Sequence, residues 1–117
     1  MDQTELVARH AQLIIDELAN PEEGIHWLSF ADPDRPEGDQ FLGVCIVKAR
    51  GFLLAVEKAR ALGINPGGEV QGIEAPQDVV SVVAGIPDLL DRLYKTRAEA
   101  EAVDTRIAAA LAAAGKP

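Results

Sequence analysis

The run Phe41–Ala49 (FLGVCIVKA) is the feature that most constrains the fold of this chain. Its apolar residues do not alternate with polar ones, so both faces of the strand that it predicts must be buried. Such a strand belongs in the middle of a sheet that other elements cover on both sides. A chain of 117 residues has the length for one core of this kind. The sequence therefore predicts a single domain over residues 1–117.

A helix and a β-hairpin are predicted around this run. Apolar side chains at three- and four-residue spacing over residues 3–19 are typical of an amphipathic helix, and Asp2 with Glu5 fits a capping box at its start. Ile25–Ala31 is predicted to be a strand. The segment 32–39, with two prolines, a glycine and four acids, predicts an exposed acidic loop at the tip of a hairpin.

The middle of the chain predicts a second helix and a third strand. Arg50–Leu62 favours a helix, and Glu69–Glu74 favours a short strand. Because a helix connects this strand to the second one, we expect the second and third strands to form a parallel pair. Residues 79–84 fit either a short helix or a fourth strand, and the proline at position 76 favours the helix.

Residues 87–114 predict one long C-terminal helix with a heptad seam of apolar residues. Its second half is mostly alanine, which favours helix but buries little area, so the helix is expected to extend beyond the core and to dimerise. The side chains predicted at that dimer interface are Leu93, Val103 and Ile107. The predicted fold class is thus α+β, or small α/β: an N-terminal helix, a β-hairpin, a helix, a third strand parallel to the second and a long C-terminal helix. Its sheet would be mixed, with three or four strands covered by helices.

The excess negative charge of the chain lies in its first third. Residues 1–40 hold ten carboxylates and two cations, whereas residues 41–117 hold nine of each, which gives a net charge of −8. An acidic segment of this kind predicts a partner with a basic surface, and the lack of clustered Lys and Arg argues against direct binding of nucleic acid. The predicted partner-binding residues are Glu22, Glu23, Asp32, Asp34, Glu37 and Asp39.

Two other groups of residues are candidates for chemistry. If the hairpin is symmetric about residues 35 and 36, His26 and Cys45 are cross-strand neighbours, as in an activated thiol, although the apolar neighbours of Cys45 favour a core role. An anionic small molecule could bind at the carboxyl end of the βαβ unit. The residues that could contact such a ligand are His26, Trp27, Lys48, Arg50, Asn65, Gly67 and Gly68.

Two functions of different classes follow from these features. The first is a small non-enzymatic interaction module that binds a basic protein surface, as an accessory subunit or as an inhibitor that mimics nucleic acid. The alternative is a domain that binds an anionic small molecule, and an enzyme is less favoured. Two histidines and one cysteine do not complete a zinc site, so no metal or cofactor is expected. The acidic start, the lack of an apolar run of about 18 residues and the single cysteine predict a cytoplasmic protein without membrane contact.

Overall fold

The computed structural model describes residues 2–115 and contains a four-stranded sheet with helices on both faces. The ends of the range predicted as one domain, residues 1, 116 and 117, lie outside the described residues. In chain order the elements are α1 (Gln3–Leu18), β1 (Gly24–Ala31), β2 (Phe41–Ala49), α2 (Phe52–Ala61), β3 (Glu69–Glu74), α3 (Gln77–Ala84), a 3-10 turn (Pro87–Leu89), β4 (Leu93–Tyr94) and α4 (Arg97–Ala113). The strand order is β3-β1-β2-β4, and every strand pair is antiparallel. The α+β class predicted from the sequence is confirmed.

β2 is buried on both faces, as its apolar run requires. Val44 and Ile46 belong to a core cluster that α3 and α4 cover. Cys45 and Val47 point to the opposite face and belong to a second cluster, which α2 covers with the small side chain of Ala55. The two clusters lie on either side of the sheet, so three helices are needed to cover it.

β3 lies beside β1, not beside β2. Ile73 pairs with Trp27, and β1 separates β3 from β2. Because both intervening pairings are antiparallel, β2 and β3 do run in the same direction, but the prediction that they pair, and that the sheet is mixed, is wrong. The cause is the packing of α2 across β2 and β1, which brings the chain to the far edge of β1. Gly72 permits this arrangement, since a Cβ there would collide with the ring of Phe52.

The C-terminal helix begins at Arg97, so the prediction of one helix from Pro87 is wrong. Residues 87–96 form the 3-10 turn, a loop and β4 instead. Asp91 has a left-handed backbone (φ 62°), which interrupts any helical path. The Thr96 hydroxyl then accepts a hydrogen bond from the Glu99 N–H at 3.1 Å and caps α4. Residues 79–84 lie in α3, so the helix was the better of the two interpretations of that segment.

α1 is amphipathic as predicted, but its apolar side does not join the core. None of its sixteen residues is buried, and only Ile14 and Glu17 are half-buried. We call four side chains the α1 apolar surface, because at 3.6 residues per turn they lie within about 140° of one another around the helix axis. They are Leu6, Val7, Leu13 and Leu18, which are 55%, 65%, 54% and 52% exposed. Ile15 is 56% exposed but lies on the opposite side of the helix from Leu6. This helix therefore gains little stability from packing.

Two leucine-to-alanine substitutions compare how much the core and α1 contribute to the free energy of unfolding. Leu28→Ala, in the fully buried centre of β1, is expected to lower the free energy of unfolding by about 2–5 kcal/mol because it leaves a cavity. Leu13→Ala removes an exposed side chain and should change it by less than about 0.5 kcal/mol. Urea unfolding followed by circular dichroism measures both values. A loss at Leu13 as large as that at Leu28 would show that α1 packs on the core in solution.

Candidate functional site

The predicted partner-binding acids do not form one patch. Glu22 and Glu23 precede β1 and the loop 32–39 follows it, so about 25 Å of strand separates them at about 3.3 Å per residue. β3 adds one carboxylate to each group: Glu74 pairs with His26 near the start of β1, and Glu69 pairs with Ala31 at its end. We call the first group the base cluster: Glu22, Glu23 and Glu74, which line one cavity of about 120 Å³. The second is the tip cluster: Asp32, Asp34, Glu37, Asp39 and Glu69.

The hairpin tip is held by its own hydrogen bonds. The Asp32 N–H donates to the Gln40 carbonyl at 2.8 Å, and the Gln40 amide donates to the Arg35 carbonyl at 3.0 Å. One Asp32 oxygen accepts from the Asp34 N–H at 3.0 Å, and the other lies 3.5 Å from the Arg35 guanidinium. The backbone of the tip is therefore fixed before any partner arrives. Three further carboxylates on it are exposed: Asp34, Glu37 and Asp39.

A carboxylate from α1 caps the N-terminus of α2. The two oxygens of Glu17 accept hydrogen bonds from the Leu53 N–H at 3.0 Å and from the Leu54 N–H at 2.8 Å. These are the donors that a helix leaves free in its first turn, and a negative charge there is favourable. Gly51 makes room for this contact, because a Cβ at that position would collide with the Glu17 side chain. Glu17 thereby fixes the C-terminal end of α1 to the body of the protein.

Two further hydrogen bonds complete this α1–α2 junction. The Arg50 guanidinium donates to the Leu18 carbonyl at 3.0 Å, and the Asn20 amide donates to the Arg50 carbonyl at 2.9 Å. A cation beside the last carbonyls of a helix is stabilised by the helix dipole. The junction is polar, so it positions α1 without covering the α1 apolar surface.

The residues predicted to bind an anionic ligand fall at opposite ends of the sheet. Lys48 and Arg50 line a cavity of about 630 Å³, but Glu22 and Glu23 line it too, so its cations and carboxylates are balanced. A second cavity of about 320 Å³ shares Lys48, Arg50 and Glu23 with the first and is also lined by Lys58. The Arg50 guanidinium is already bound to a helix carbonyl. The first cavity therefore attracts an anion only weakly. In the second, two of the three cations, Arg50 and Lys58, already donate to backbone carbonyls.

The glycine loop is a turn into β3 near the tip cluster. The side-chain oxygen of Asn65 accepts from the Gly67 N–H at 2.8 Å, and both Gly67 and Gly68 have left-handed backbones (φ 91° and 74°). Gly68 packs so closely on the Ala31 carbonyl that a Cβ would collide with it. Asn65, Gly67 and Gly68 therefore form the turn that leads into β3. The structure does not place them beside Lys48.

His26 and Cys45 lie on one face of the sheet, but the structure does not pair them. His26 is opposite Val47, so the register differs by two residues from the symmetric one that we considered. The imidazole is buried and its Nε2–H donates to the Ala49 carbonyl at 3.2 Å. Burial, with a smaller contribution from the charge of Asp91, raises the pKa of the Cys45 thiol to about 11. The thiol is therefore neutral at physiological pH and is not an activated nucleophile.

The side chains predicted for dimerisation pack within the chain instead. Val103 and Ile107 are buried in the cluster between the sheet and α4, and Trp27 packs against the same cluster while remaining half-buried. Leu93 lies in β4 and is half-buried against Gly43 of β2. Dimerisation stays a prediction, but these side chains already have partners in the described part of the chain.

Glu17→Gln tests the junction. The amide can accept only one of the two hydrogen bonds and carries no charge, so we expect a loss of about 1–2 kcal/mol in the free energy of unfolding. Amide exchange at Leu53 and Leu54 should also become faster. Asp16→Asn is the matched control, because the neighbouring carboxylate is exposed and contacts only Gln12 on its own helix. Equal effects of the two substitutions would contradict the proposed anchoring role.

The raised pKa of Cys45 predicts a pH dependence of stability. The thiol has its ordinary pKa near 9.0 when unfolded and about 11 when folded, so its neutral form is favoured by the fold. Its contribution to stability is complete below pH 9 and decreases as the pH rises toward 11. Cys45→Ala removes this part of the pH slope, measured by urea unfolding between pH 8 and pH 11 at constant ionic strength. An unchanged slope would mean that the thiol ionises equally well in both states.

No protein-family model, curated protein or solved structure matches this chain. Within residues 2–115, no helix is both long and apolar enough to cross a membrane. No group of three or more His, Cys, Asp or Glu side chains in that part of the chain is arranged to hold a metal ion.

Proposed function

We propose that this protein is a small non-enzymatic interaction module that binds a basic, amphipathic helix of another protein. The observation that carries the proposal is the α1 apolar surface, four large side chains that are each more than half exposed on one side of one helix. Single exposed apolar residues are normal, but a contiguous group of them marks an interaction site. α1 would bind with this surface while the body of the protein holds it in place.

α1 is organised for binding before any partner is present. At its N-terminus the Asp2 carboxylate accepts a hydrogen bond from the Glu5 N–H at 2.8 Å, which caps the helix. At its other end the Glu17 and Arg50 contacts fix the helix to the body. Binding would then cost less ordering entropy than the folding of a free segment.

The charge around α1 favours a basic partner over a second copy of the chain. Residues 2–23 contain six carboxylates and a single cation, Arg9. Two copies that met through α1 would bring these carboxylates together, whereas Lys and Arg on a partner helix would be attracted. A helix with apolar anchors at three- and four-residue spacing and basic residues beside them is the complementary shape.

The alternative function, binding of an anionic small molecule, has less support. Its candidate residues are divided between two ends of the sheet, and Glu22 and Glu23 line the same cavity as Lys48 and Arg50. Mimicry of nucleic acid by the tip and base clusters remains one version of the interaction module.

A synthetic helical peptide of leucine and lysine tests the proposal. It should have about 16 residues, which is about 24 Å of helix, to match α1. Its dissociation constant is measured by calorimetry with the unaltered protein and with the double variant Leu6→Gln/Leu13→Gln. We expect the variant to bind at least about tenfold more weakly, because two anchors are lost. Leu62→Gln is the matched control, since Leu62 is equally a leucine and 47% exposed but lies outside α1.

Charge is tested with the same peptide scaffold. A peptide with glutamate in place of lysine should bind more weakly than the lysine peptide because its charges are repelled, and raising the salt concentration should reduce the difference between the two. The proposal would fail if the double variant bound as well as the unaltered protein, or if the glutamate peptide bound as well as the lysine peptide.

A further inference from the structure

We infer that the outer edge of β3 is a second binding site, which accepts an extended basic segment of a partner protein as a fifth strand. This site shares with the proposed function only the positive charge of the partner, and it uses a different surface. Three observations lead to it: an open strand edge, the direction of its backbone groups and the carboxylates at both of its ends.

The edge of β3 is uncovered. β3 is the outermost strand of the order β3-β1-β2-β4, and among residues 2–115 it pairs only with β1. Five of its six residues are exposed, and Val70 is half-buried. A six-residue edge that neither a helix nor a loop covers is a template for an added strand.

The backbone groups available for pairing follow from the hydrogen bonds to β1. The Ala75 N–H donates to the Ile25 carbonyl at 2.8 Å, in register with the pairing of Ile73 and Trp27. Hydrogen-bonded and non-hydrogen-bonded pairs alternate along an antiparallel ladder. The residues whose N–H and C=O groups point away from β1 are therefore Val70, Gly72 and Glu74. They offer three donors and three acceptors to an incoming strand.

The side chains beside the edge suit an apolar contact on one face. Ile73 is 67% exposed and lies next to the half-buried Trp27 on the side of the sheet that α3 and α4 cover. On the other side Gly72 has no side chain and lies under Phe52. A β-branched residue of the added strand could pack against Ile73.

Carboxylates stand at both ends of this edge and define the chemistry of the occupant. The base cluster lies at one end, where the Glu74 carboxylate lies over Gly24 of β1, and Glu69 and the rest of the tip cluster lie at the other end. The Cα atoms of Glu69 and Glu74 are about 17 Å apart at about 3.3 Å per residue. A strand with Lys or Arg at positions about five residues apart is complementary to both clusters. A second copy of β3 is not complementary, because antiparallel pairing centred on Gly72 would set Glu74 of one copy opposite Val70 of the other and one residue from its Glu69. The acidic ends of the two edges would then repel each other.

Nuclear magnetic resonance with a short peptide tests this inference on the full chain. The probe is acetyl-Lys-Val-Thr-Val-Thr-Lys-amide, which alternates apolar and polar residues between two lysines. We expect the amide signals of Val70, Gly72 and Glu74 to shift and their exchange with solvent to slow. The amides of Gln71 and Ile73 already pair with β1 and should change little. This alternating pattern distinguishes strand addition from adsorption by charge.

Two controls separate backbone pairing from charge. The same peptide N-methylated at all four internal residues keeps its charge but has no internal N–H group to donate at either edge, and it should bind at least about tenfold more weakly. The double variant Glu69→Gln/Glu74→Gln should also weaken binding about tenfold, since exposed ion pairs each contribute modestly. Its matched control is Glu101→Gln/Asp104→Asn, which removes two exposed carboxylates from α4.

Equal binding of the N-methylated peptide, or shifts confined to α1, would overturn the inference. A dimer in light scattering that protects the three β3 amides without peptide would also overturn it, because the occupant would then be a second copy. The α1 variant Leu6→Gln/Leu13→Gln should bind the strand peptide normally. A negative result with the strand peptide therefore does not contradict the proposed role of α1. A negative result with the helical peptide likewise does not contradict the proposed site at β3.

Discussion

Burial of β2 on both faces is the constraint on which the rest of the structure depends. A strand with apolar side chains on both sides is stable only when two layers cover it. α2 covers one face, and α3 with α4 covers the other. No sheet face is then left for α1, so this helix is attached through polar contacts at its C-terminal end and keeps its apolar side in water. The radius of gyration of 15.7 Å, against about 13 Å for a compact chain of this length, agrees with that arrangement.

The local pattern of apolar and polar residues was enough to predict most of the helices and strands, but not which strands pair. The bounds of β2 and β3 agree with the predicted ones, and Gly63, just after α2, has the left-handed backbone (φ 74°) that glycine adopts readily at a helix end. Strand neighbours depend on where α2 lies across the sheet, and this is a property of packing that no single segment contains. At the C-terminus the heptad spacing favoured one long helix, and the cap inside that range was not recognised. The Thr96 hydroxyl satisfies the free N–H of Glu99 and starts α4 at Arg97.

Of the candidate site, the sequence predicted the excess of carboxylates but not where they lie in the fold. The excess of carboxylates in residues 1–40 is visible in the sequence, but their division into tip and base clusters follows from the length of β1. Glu69 and Glu74 join these clusters because β3 pairs with β1, which the sequence did not indicate. Glu17 was not identified as a special residue, because the helix that it caps is not its own. A capping carboxylate that comes from another element leaves no local sequence signature.

Exposed carboxylates cannot by themselves supply much affinity, because water and salt screen them. At both surfaces proposed for this protein, the energy of binding would come from other groups: apolar side chains on α1 and free backbone donors and acceptors on β3. The carboxylates would select positively charged segments among many apolar helices and strands, and would speed the encounter with them. They would also oppose the two contacts that such surfaces invite, helix to helix and edge to edge between copies of the chain. The same charges would thus both attract a basic partner and protect an exposed helix and an open strand edge from self-association.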